Sequence, residues 1–170
     1  MTYCRFSRLM HWAMAFLVFS AIMLVELKSM LPRGELKRDF MIWHIEAGML
    51  VFILVWPRLF WRIGNPSPPI LPPLKPFQRF SATLAHQAFY LMMMALPVFG
   101  FLAIQSKGRV GHFFGLQLPQ LIGKNGHAHA LKHDHELLGN IMIGMIALHL
   151  LAVFHHHVFR RDNTLKRMSL

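Results

Sequence analysis

Polar residues thin out four times along this chain. Leu9 to Leu27, Phe40 to Trp61, Phe80 to Ile104 and His135 to Phe159 are apolar runs of 19 to 25 residues. About 20 helical residues cross the roughly 30 Å hydrocarbon layer of a bilayer, so each run is long enough to span one. Lipid offers no hydrogen bonds to the backbone, so each run is expected to be a helix. The pattern predicts an all-α membrane protein, one domain over residues 1–170, built as a four-transmembrane-helix bundle. Pro57 is expected to loosen the end of the second helix and Pro97 to kink the third. The first run follows Arg5 and Arg8 as a leader would. The residues after it, "LVELKSMLP", lack a small-residue cleavage site, so it reads as a retained span.

The connectors differ in kind. Residues 28–39 are short and charged. Residues 62–79 contain "NPSPPILPPLKP", whose prolines favour an extended conformation. Residues 105–134 read as a polar loop rich in Gly, Lys and His, with "VGHFFGLQLP" suited to the membrane interface.

Composition agrees with a membrane protein. The chain is 55% hydrophobic and 15% charged, too apolar for an ordinary soluble domain. A net charge of +11 would suggest nucleic acid in a soluble protein. Here the charges report orientation, and no nucleic-acid partner is expected. With the N-terminus inside, the inner side holds Arg5, Arg8, Arg58, Arg62, Lys75, Arg79, Arg160, Arg161, Lys166 and Arg167, against Asp162 alone. The outer side holds Lys28, Arg33, Lys37, Arg38, Lys107, Arg109, Lys124 and Lys132, against six acids. Basic residues favour the inside, so both termini are read as cytoplasmic. The single cysteine, Cys4, excludes an internal disulfide and a thiolate-ligated cluster.

Histidine carries the chemistry. Ionisable side chains inside a membrane are costly and mark function by default. His11 opens the first span on the inner side, and His44 opens the second on the outer side. His135 opens the fourth from outside. His149 lies fourteen residues on, about 21 Å deeper and within about 40° of the same face. The four fall into two level pairs, His44 with His135 and His11 with His149. Each pair suits axial ligation of one haem iron, giving two haems stacked across the membrane. Gly48, Gly139 and Ala15 lie one turn from His44, His135 and His11 on the same faces, where a ring needs room. Other readings use the same residues. Zinc or copper could take some of His127, His129, His133 and His135. A haem-free, His-lined transporter is a further alternative. His86 reads as a quinone-site residue or a packed polar group.

The motifs "SRLMHW", "IWHIEAG", "NPSPPILPPLKP", "ALPVFG", "HELLGNIMIGMIALH" and "HHVFRRDNTLKRM" together resemble the bacterial dihaem cytochrome b-561 proteins of the inner membrane. The resemblance covers almost the whole chain. It implies two b-type haems, one on His11 and His149 and the other on His44 and His135, and ubiquinone as a redox partner. One branch oxidises superoxide at the periplasmic side and reduces ubiquinone. The alternative is a cytochrome b subunit that relays electrons from a dehydrogenase or another periplasmic donor to quinone. Quinol formation needs protons, and His86, His156 and His157, near Arg8 and Arg79, are candidates for the quinone site. The His-rich third connector is the departure from the family pattern.

Overall fold

A computed structural model describes residues 2–169. Four helices cross it: α1 (Arg5–Met30), α2 (Glu35–Gly64), α3 (Pro76–Ser106) and α4 (Ala128–His155). A π-helical turn, His156–Arg160, continues α4. All four are long and apolar enough to cross a membrane. They run up and down, so the starts of α1 and α3 and the ends of α2 and α4 share what is here called the terminal end. The opposite end is the loop end.

Every helix overruns its apolar segment. Backbone hydrogen bonds continue past the hydrocarbon boundary, where hydropathy no longer marks the helix. The longest overrun at any one end is at the start of α4, which begins seven residues before His135. His129 and His133 therefore stand on a helix rather than in a polar loop, which corrects the reading of residues 105–134. Pro57 and Pro97 lie inside continuous helices. Each removes one backbone donor, and α2 runs on to Gly64 and α3 to Ser106.

The third connector carries a small element that an all-α reading omits. Strand β1 (His112–Phe113) pairs antiparallel with β2 (Leu116–Gln117). Phe114 and Gly115 between them take φ of 47° and 80°, as a two-residue hairpin turn requires. Gln105, fully buried at the end of α3, pins this connector down. Its amide donates to the Pro119 carbonyl at 2.8 Å and accepts from the Leu121 and Ile122 N–H groups at 2.9 and 3.2 Å.

Helix α1 packs on α2, α2 on α3, and α3 on α4, whereas α4 approaches neither α1 nor α2 closely along its backbone. The buried core takes one or two residues from each helix: Met14, Val51, Val55, Met93 and Met142. Met142 lies midway between His135 and His149 in sequence. The core is thus a plug at mid-depth, with histidines above and below it. Phe16, Leu148 and Phe159 are among the large apolar side chains left exposed, as lipid contact requires.

The C-terminal residues fold back beneath the terminal end. The Tyr3 N–H donates to the Arg167 carbonyl at 3.1 Å, Trp12 Nε1 to the Met168 carbonyl at 2.8 Å, and Arg8 to the Ser169 carbonyl at 2.6 Å. Asn163 exchanges hydrogen bonds with the Leu71 backbone in the proline-rich connector.

Candidate functional site

At the loop end, His44 on α2 and His135 on α4 face each other. Their ring centroids are 6.0 Å apart and the planes nearly perpendicular. Each ring is oriented by a helix it does not belong to. His44 Nδ1 lies 2.8 Å from the Ala21 carbonyl on α1, and His135 Nδ1 lies 2.9 Å from the Leu96 carbonyl on α3. A carbonyl only accepts, so each Nδ1 carries the proton and each Nε2 is left with a free lone pair. Holding one ring nitrogen by a hydrogen bond is the usual way to fix a metal-ligating tautomer.

These two residues fit a metal between them. Two imidazoles with nitrogens about 2 Å from a shared metal have centroids roughly 6 Å apart. The helices that bear them do not pack directly on each other, so a flat macrocycle has a place to lie. The cavity at this level is lined by His44, His135, Gly48, Met49, Pro97 and Gly100, with Lys28, Lys107, Lys132 and Glu136 among its polar lining. Gly48 lines it as the sequence suggests, whereas Gly139 does not. Gly100 is a residue the sequence reading missed. A Cβ there would sit 3.0 Å from the His135 ring. Its signal was its place in "ALPVFG", one turn past Pro97.

The terminal end brings three imidazoles together. His149 faces His86 at 6.4 Å between centroids and packs on Phe89 at 5.5 Å. His11 stacks edge-on with Trp12 at 5.4 Å. Its Nδ1 accepts from Arg58 Nη2 at 3.1 Å, and Arg58 Nε donates to the Tyr90 hydroxyl at 3.3 Å. His11, His44, His135 and His149 are all half-buried, but His86 is exposed. His86 also sits on α3, which packs directly on α4, whereas α1 and α4 stand apart.

The other expected quinone residues do not converge on one pocket. His157 is exposed, and Arg79 is exposed beside a shallow cleft with Leu74, Phe80 and Thr83. Arg8 is occupied by the C-terminal backbone. His156 donates from Nδ1 to the buried Asp162 carboxylate, which Arg160 also contacts at 3.1 Å. Arg58, Tyr90 and Asp162 joined these clusters without a sequence signal beyond their charge or polarity. For the zinc or copper alternative, no group of three or more His, Cys, Asp or Glu converges as a metal site among the described residues.

Comparison with known proteins places these features in a family. The Prokaryotic cytochrome b561 family matches residues 2–169. The chain is 35% identical over 159 residues to a probable superoxide oxidase CybB of Yersinia pestis, covering 93% of this chain and 90% of that one. It is 32% identical to cytochrome b561 homolog 1 of Escherichia coli (strain K12), covering 96% of each chain. Cytochrome b561 homolog 2 of the same organism is 30% identical over 74% of this chain and 68% of its own.

Proposed function

The chain belongs to the prokaryotic cytochrome b561 family, as a multi-pass electron-transfer protein of the bacterial inner membrane, and from that premise we propose that it holds two b-type haems and oxidises superoxide with ubiquinone as acceptor. Haem iron, when bound, supplies one-electron oxidation and reduction. The loop end is periplasmic and the terminal end cytoplasmic. His44 and His135 hold the outer haem, and His11 and His149 the inner one. The observation that carries this reading is the loop-end pair: two facing imidazoles, each fixed with its Nδ1 proton on a neighbouring carbonyl.

The chain's own residues account for the rest. Superoxide is an anion, and Lys28, Lys107 and Lys132, drawn from three helix ends, meet at the cavity beside His44 and His135. Positive charge around a cleft raises the encounter rate with a small anion. Two superoxide ions lose one electron each and leave as oxygen. One quinone takes those two electrons and two protons. Of the quinone candidates of the terminal half, Arg8 is held by the C-terminal backbone and His156 by Asp162, so quinone contact and proton supply fall to His86, His157 and Arg79.

His86 gives a specific second reading of the inner pair, because it is the ring that faces His149. The direct packing of α3 on α4 favours His11, whereas the Arg58 bond to His11 Nδ1, which leaves the His11 proton on Nε2, counts for His86. The test is stopped-flow mixing of purified protein with superoxide, with and without a short-chain ubiquinone. Haem reduction by superoxide followed by reoxidation by quinone is expected. A haem band that superoxide does not reduce, but that responds once a dehydrogenase or other donor is supplied, would replace the enzyme with a relay subunit.

A further inference from the structure

The loop end carries a second set of histidines, outside the bundle, that electron transfer does not use. Of the twelve histidines in the chain, only His129 and His133 stand four apart. Helix α4 begins at Ala128, so both lie on one turn of helix. Side chains four apart on a helix are neighbours on its surface. The start of that turn is fixed by two bonds. The His127 N–H donates to Asn125 Oδ1 at 2.9 Å, and the Leu131 N–H donates to the His127 carbonyl at 2.9 Å. Both rings are exposed. They lie about 120° and 160° round the helix from His135. The cavity beside His44 and His135 has neither of them in its lining.

We infer that His129 and His133 form a chelating site for a divalent transition cation, tightest for Cu²⁺. Two imidazoles at this spacing on one helix face can close on a single metal ion. Imidazole suits zinc, nickel and copper, and copper binds such donors most strongly of the three. Water completes the coordination, since the His133 side chain is 67% exposed. Two protein ligands suffice for a surface site of this kind, and no larger cluster converges among the described residues. The charges nearby offset one another. A helix N-terminus disfavours a cation, but Asp134 Oδ1 stands 3.6 Å from His133 Nδ1 and supplies a negative charge. Lys132 lies between the two histidines in sequence, and Glu136 holds its ammonium at 2.6 Å. The site is separate from the one proposed for haem and stands whether or not His135 ligates iron.

The experiment titrates Cu²⁺ into untagged, full-length protein purified in detergent, in a buffer that does not chelate. Binding is followed by the electron paramagnetic resonance of the bound ion. One tight equivalent is expected, with hyperfine structure from two ring nitrogens. His129→Ala and His133→Ala should each weaken it about tenfold or more and leave a single-nitrogen signal. The double variant should bind little worse than either single one, because a chelate is lost with its first arm. His127→Ala and His157→Ala should bind as wild type, and the first equivalent should leave the visible spectrum of the protein unchanged. Absence of a tight equivalent, or a loss in only one of the two single variants, would overturn the inference. So would an equal loss in His127→Ala, which would move the site to the connector, or a first equivalent that perturbs a haem band, which would place the ion among the half-buried histidines.

Discussion

The two ends of the bundle solve the same problem differently. At the loop end, a histidine from α2 and one from α4 borrow backbone carbonyls from α1 and α3. All four helices thus meet at a pair of rings whose Nδ1 protons are satisfied without any charged side chain. At the terminal end, three imidazoles, a guanidinium and a tyrosine crowd below the Met14–Val55–Met142 plug. The first arrangement depends on backbone position, so it is rigid and its rings need no charged partner. The second depends on long side chains, so it is charged and open to exchange of partners. A one-electron donor outside needs only a fixed relay. A quinone that gains protons needs polar groups nearby.

The harshest way to break the comparison removes one ring at a time. His135→Ala should lose the outer haem and His149→Ala the inner, each leaving roughly half of the b-type absorbance. His11→Ala should match His149→Ala, while His86→Ala keeps both haems. Haem content per protein, measured as the pyridine haemochrome, checks all four. If His86→Ala lost a haem and His11→Ala did not, the ring contact at 6.4 Å would define the inner pair instead.

Gly100 tests whether the loop end is as rigid as its backbone hydrogen bonds imply. A Cβ at that position meets Cε1 of His135 at 3.0 Å and Nδ1 at 3.1 Å. Gly100→Val adds two further carbons and should push the ring off the Leu96 carbonyl. Most of the outer haem should be lost and the inner retained. Gly100→Ala should show a partial version of the same loss. An unchanged spectrum in Gly100→Val would mean that His135 can yield, and the contrast in rigidity between the two ends would fail.

Hydropathy revealed the four spans because lipid imposes one pattern on every helix that crosses it. The same physics hid the helix ends. Ala128 to Asp134 is polar and helical, since a helix beyond the hydrocarbon no longer needs an apolar surface. The histidine levels were legible for a similar reason: depth follows from counting residues along a helix. Azimuth between helices does not, so His86 and Arg58 could be placed at the right height but not beside His149 and His11. The hairpin at 112–117 spans too few residues for an alternation to show. The grip of Gln105 on Pro119, Leu121 and Ile122 depends on the path of a loop, which no local pattern encodes.

Asp162 extends the comparison to stability, because the terminal end is closed by ionic contacts where the loop end is closed by an amide. Burial alone would push the Asp162 carboxyl up, but hydrogen bonds from His156 and Thr164 outweigh it and hold it at about 2. A carboxyl held low stabilises the fold fully above its ordinary value near 3.8, and that contribution is lost as pH falls toward about 2. Asp162→Asn should lower stability at neutral pH by about 1–3 kcal/mol, the usual result of weakening a charged hydrogen-bond acceptor. Thermal unfolding in detergent should show the gap between wild type and variant closing at acid pH. Gln105→Ala should show no such closure. A gap independent of pH between 7 and 2 would mean that Asp162 contributes shape and not charge.

Glu136 offers the smallest and finest adjustment, because it acts on the field at the loop end without touching a ligand. It lines the cavity and neutralises Lys132 through a bond of 2.6 Å, with more than half of each side chain exposed. An exposed pair of this kind contributes only about 0.2–1 kcal/mol, so Glu136→Gln should leave the melting temperature nearly unchanged. It frees one positive charge at the entry proposed for superoxide. The second-order rate of haem reduction by superoxide should rise about twofold at low salt and return to wild type as ionic strength screens the site. Lys132→Gln should move the rate the other way. If both variants slowed the reaction, the pair would be positioning His135 rather than steering the anion, and the loop end would depend on side chains as much as the terminal end does.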